Sequence, residues 1–96
     1  MELTIFARFH AREGQEEAVA AAIRAVVPPT RAEAGCLGIA GFRSSRDPRL
    51  HYVHSRWIDE AAFDHHASLP HTQHFIETVQ KLIDHPLEVN RTRPIA

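Results

Sequence analysis

Ninety-six residues, 44% of them apolar and 24% charged, suit one globular domain spanning 1–96 and leave no room for a second core. Eleven basic against twelve acidic side chains give a net charge of −1, which excludes the basic footprint of a nucleic-acid or anionic-membrane binder. The single cysteine, Cys36, excludes an internal disulfide, so a chain this short is expected to gain stability from a metal or a partner subunit.

Residues 2–10 alternate, with Leu3, Ile5, Ala7 and Phe9 on one side and Thr4, Phe6, Arg8 and His10 on the other, which predicts a strand. Gly14 opens a helix with Glu16 and Glu17 in its first turn, favourable at the positive end of the helix dipole. Val19, Ala22, Ile23 and Val26 form its apolar stripe. Pro28-Pro29 is expected to end or kink that helix, with a further turn from Thr30 to Ala34 and Gly35 as a left-handed cap. Cys36 to Arg43 reads as a second strand with Leu37 and Ile39 on one face. Its small residues Gly38, Ala40 and Gly41 call for close approach by another backbone or a ligand. The turn Ser44-Ser45-Arg46-Asp47-Pro48 leads into a third strand, Leu50 to Ile58. Asp59 is the expected N-cap of a short helix over 60–67, Ser68-Leu69-Pro70 interrupts it, and a second helix is predicted from His71 to Asp84. A last short strand runs from Leu87 to Arg91.

The order β-α-β-β-α-β predicts an α+β, ferredoxin-like antiparallel sheet with helices on one face. Phe6, Tyr52 and Ile58 make the other face apolar too, so a second copy of the chain is expected to cover it as a homodimer. No apolar run reaches the roughly 20 residues of a membrane span. Met1-Glu2-Leu3-Thr4 lacks the layout of a secretory signal, and a cytoplasmic location is expected.

Eight histidines are the main chemical signal. His66 follows Ala62 by four and Phe63 by three, and His71 precedes Phe75 by four, so both are expected to face the space between helices and sheet. His65 and His74 fall off these stripes. Imidazole suits proton abstraction near neutral pH, which makes His66 and His71 the candidate bases. The plainer role open to them is capping helix ends and satisfying local carbonyls. A metal site is not expected, because His74 turns away from His66 and His71 and no cysteine or carboxylate completes a zinc-like spacing. Cys36 is expected to be a small buried hydrophobe.

Gly14-Gln15-Glu16-Glu17, Glu33-Ala34-Gly35-Cys36, Asp47-Pro48, the strand-end Trp57 and His66-Ala67-Ser68-Leu69-Pro70-His71 together resemble the antibiotic biosynthesis monooxygenase family over nearly the whole chain. The resemblance implies a dimeric α+β barrel and a reaction that needs no cofactor. A histidine deprotonates a quinol or polycyclic phenol in an apolar cavity, and the anion passes an electron to molecular oxygen. It places Trp57, Phe63 and Phe75 around a small aromatic substrate, with Ser55 and Arg43 as polar contacts at the cavity edge. Many relatives have an acidic residue where this chain has Ser55. Haem-degrading relatives place an asparagine in the first strand, where this chain reads Ala7-Arg8-Phe9, which argues against haem breakdown. The alternative function is binding or isomerising a small metabolite without oxygen.

Overall fold

A computed structural model describes residues 1–96. Its elements are β1 (Leu3–His10), α1 (Glu16–Arg31), β2 (Cys36–Arg43), β3 (Leu50–Trp57), α2 (Glu60–Ser68), α3 (Pro70–Gln80) and β4 (Glu88–Thr92). The strands form one sheet in the order β2-β3-β1-β4, and every neighbouring pair is antiparallel. This is the ferredoxin-like arrangement that the element order predicts.

Leu3, Ile5, Ala7 and Phe9 are all buried, as their alternation requires, and Val19, Ile23 and Val26 of α1 are buried with them. Gly41 lets α1 lie close to the sheet, because a Cβ there would collide with the Ile23 side chain. On the opposite face Phe6, Phe42 and Tyr52 are 50%, 54% and 37% exposed. Phe6 pairs across the strands with His54, their rings 5.1 Å apart, and Phe42 pairs with Tyr52.

Several sequence expectations need correction. α1 does not end at the prolines but continues through Pro28 and Pro29 to Arg31. Proline φ suits a helix, and only the carbonyls of Arg24 and Ala25 lose their donors. Buried Thr30 reinforces this turn by donating its hydroxyl to the Val26 carbonyl at 2.7 Å. Gly35 has no left-handed conformation; only Gly14 has positive φ, at 83°. Gly35 is instead a contact point, where a Cβ would lie 2.5 Å from Ala62 Cβ of α2.

Leu37 does not share a face with Ile39. A register irregularity between Cys36 and Gly38 restarts the alternation, so Cys36 packs against the core while Leu37 is 45% exposed. The expected interruption between α2 and α3 is present but narrower than Ser68-Leu69-Pro70: extended Leu69 alone is both the C-cap of one helix and the N-cap of the other, with Pro70 opening α3. α3 stops at Gln80, short of Asp84, because Ile83 leaves the helix to form a bridge with Ala11. No helix is long and apolar enough to cross a membrane.

Candidate functional site

Between the helices and the sheet lies a cavity of about 270 Å³. Ile5, Phe9 and Val53 form its floor on the sheet, while Phe63 of α2 and Phe75 of α3 stand over it. His66 and Ser55 are among its few polar groups. The floor follows from strand alternation, which puts every second residue of β1 and β3 beneath the helices.

Asp59 starts α2 by accepting the Ala62 N–H at 2.8 Å, which sets the helix phase and turns Phe63 and His66 inward. His66 is 9% exposed, its ring 4.6 Å from the Trp57 ring and 5.6 Å from Phe63. On the other side of Phe63 the Arg91 guanidinium lies 4.9 Å from the ring centroid, held by Asp64 at 2.7 Å.

The polar end of the site is built on Glu33, in the turn between α1 and β2. Glu33 Oε2 lies 2.7 Å from His66 Nδ1 and 2.8 Å from His71 Nε2. The Thr72 hydroxyl is a further 3.2 Å contact of His66 Nδ1. An ionised carboxylate only accepts, so Glu33 places the His66 proton on Nδ1 and leaves the lone pair on Nε2. Nε2 makes no hydrogen bond within the protein, and the ring lines the cavity. Burial pushes the His66 pKa below its ordinary value of 6.5, and Glu33 opposes that shift. The ring is therefore neutral and proton-accepting at pH 7. Glu33 Oε1 is buried without a partner.

His71 lies on the far side of the carboxylate. It faces the groove between α1 and α3, with its side chain 28% exposed, and not the cavity. Phe63, Phe75 and Ser55 line the cavity, whereas Trp57 and Arg43 do not. Trp57 is fully buried behind the wall and donates its indole N–H to Ser55 Oγ at 3.0 Å. Arg43 points to the outer side of α1, pairing with Glu17 at 2.7 Å and donating to His51 at 3.1 Å. Sequence spacing missed Glu33, because nothing local connects position 33 to a helix pair more than thirty positions later. Its place in Glu33-Ala34-Gly35-Cys36 was the one available signal. It also supplies the carboxylate absent from the metal reasoning: Glu33, His66 and His71 bring ligand atoms within 4.8 Å of one another.

The sequence profile of the antibiotic biosynthesis monooxygenases matches residues 3–78. The chain belongs to that family. Rv0793 of Mycobacterium tuberculosis, whose name assigns it provisionally to the monooxygenases, is 29% identical over 93 residues, or 97% of this chain and 91% of that protein. Its solved structure matches with a TM-score of 0.94 at 27% identity, covering 100% of this chain and 97% of that one. PA3566 from Pseudomonas aeruginosa matches with a TM-score of 0.91 at 32% identity, over 99% of this chain and 95% of its own. SO0527 from Shewanella oneidensis gives 0.86 at 30% identity, over 95% and 90%. Membership supports a monooxygenase-like activity in general terms, and the substrate has to be argued from the cavity.

Proposed function

We propose that this chain oxidises a small quinol or phenol with molecular oxygen, without a cofactor, using His66 as the base. The observation that carries this reading is the His66 ring set in the wall of an apolar cavity with Nδ1 committed to Glu33. His66 Nε2 takes the proton of a substrate hydroxyl, and the electron-rich anion then gives one electron to oxygen. The resulting radical pair combines to form a carbon–oxygen bond. Loss of water from that adduct leaves a hydroxyquinone, so one hydroquinone and one dioxygen yield one hydroxyquinone and one water. Ser55 suits the second substrate oxygen: its Oγ accepts from Trp57, which frees its own proton for donation.

A volume of about 270 Å³ falls just below the range at which ligand pockets usually begin, roughly 300 Å³. That favours a one- or two-ring substrate over a polycyclic phenol. We further propose that the working form is a homodimer joined through the open sheet face carrying Phe6, Phe42 and Tyr52. A cytoplasmic setting fits the free thiol of Cys36.

The test is oxygen uptake with a panel of hydroquinones and naphthols in chelator-treated buffer, for the native chain and for His66→Gln. Uptake by the native chain that His66→Gln abolishes supports the reading. Equal rates, or ligand-dependent thermal stabilisation with no oxygen consumed, would replace it with the binding or isomerase alternative.

A further inference from the structure

A second group of histidines lies away from the cavity, where the end of β1 meets the segment after α3. His10 Nδ1 and His85 Nδ1 both point to one oxygen of Asp84, at 2.5 and 2.7 Å, with the two rings 4.4 Å apart. All three ligand atoms lie within 4.8 Å of one another. The backbone fixes this arrangement, since the Asp84 N–H donates to the His10 carbonyl at 3.0 Å and the Arg12 N–H to the Leu82 carbonyl at 2.8 Å. Arg49 donates to the other Asp84 oxygen at 2.6 Å and to the Ala11 carbonyl at 2.9 Å, which leaves Asp84 Oδ1 aimed at the histidines.

We propose that His10, Asp84 and His85 bind a divalent transition-metal ion of the zinc, cobalt or nickel class, independently of the catalytic cavity. Two imidazoles and one carboxylate are a borderline donor set that suits these ions and disfavours calcium or magnesium. Bonds of about 2.0–2.1 Å in a tetrahedral site put donors about 3.3 Å apart, so each ring must withdraw from Asp84 by less than about 1 Å. The His85 side chain, 64% exposed, is free to make that movement. In the metal-free fold both Nδ1 atoms donate to Asp84 Oδ1, so an entering metal displaces those protons, and His10 keeps its remaining proton on Nε2, where Asp47 Oδ2 lies 3.8 Å away. The Glu33 group has a similar donor set, but its carboxylate is only 9% exposed. The Asp84 carboxylate is 28% exposed, so water can fill the remaining coordination position.

The tag-free chain, stripped with a chelator, is titrated with Co²⁺ while the visible band of four-coordinate cobalt is followed, and with Zn²⁺ by calorimetry. The expected result is one ion per chain, a rise in Tm with Zn²⁺, and loss of saturable binding in His85→Gln but not in His66→Gln. Absence of saturable binding, survival of binding in His85→Gln, or its loss in His66→Gln would each overturn the assignment. None of these readouts depends on enzymatic activity.

Discussion

Glu33 Oε2 stands 2.7 Å from His66 Nδ1, so a residue in the turn after α1 dictates which nitrogen of a ring on α2 can act as a base. Nearby, Oε1 of the same carboxylate is buried and unpaired, a cost to folding that the bridge to two rings offsets. Glu33→Gln should therefore separate function from stability. We expect oxygen uptake to fall on the order of 10²-fold as the Nδ1 proton loses its charged acceptor, while Tm holds or rises. A matching fall in Tm would mean that Glu33 acts only as a structural tie. Glu33 is a positioning residue, so its variant should also shift the acid limb of the pH–rate profile.

Burial lowers the His66 pKa in the fold, which fixes the sign of two pH effects. Oxygen uptake should be full near pH 7 and decline only below 6.5, where Nε2 is protonated. The unfolded chain takes up that proton near 6.5, before the folded chain does. The stability associated with neutral His66 is therefore present above 6.5 and disappears as pH falls through the lower folded value. Urea melts of the native chain and His66→Gln between pH 7.5 and 5 should converge as pH drops; parallel curves would show that His66 does not titrate as described.

Ser55→Ala removes the acceptor of a fully buried indole N–H. Leaving that donor unsatisfied should cost about 1–3 kcal/mol in denaturant unfolding, without a change of m-value. KM should rise as well, since Ser55 lines the cavity and Trp57 does not. A stability loss with unaltered kinetics would assign Ser55 to packing alone.

On the open face, Phe6→Glu with Phe42→Glu should turn a dimer into a monomer in sedimentation while retaining the native chain's circular dichroism. Both side chains are about half exposed, so the folded protomer tolerates charge there. A native chain that sediments as a monomer at working concentration removes the homodimer proposal.

Gly35→Ala tests the contact between the Glu33 turn and α2. The new methyl would meet Ala62 Cβ at 2.5 Å, so about 1–3 kcal/mol of stability should be lost as α2 is pushed outward. Ala62→Gly in the same chain should restore part of that loss.

Where local spacing decides the outcome, the sequence was readable. The β1 alternation put Leu3, Ile5, Ala7 and Phe9 in the core, and helical phase distinguished buried His66 from exposed His65 and His74. Failures arose where tertiary contacts decide. Proline count suggested a break in α1 that the packed end of the helix does not make. The β2 irregularity moved Leu37 off the expected face, and the Ala11–Ile83 bridge shortened α3. The contacts of Glu33 and Asp84 lay beyond local spacing for the same reason, since each gains its importance from histidines brought to it by the fold.

Leu69 closes α2 and opens α3 with no residue between the caps. The rings of His66 and His71 thus ride on a single rigid corner, and their reach to one carboxylate is governed by residue count. A one-residue insertion at this corner would carry His71 round its helix by about 100° and disconnect it from Glu33. Engineered length variation should therefore be rejected at this corner.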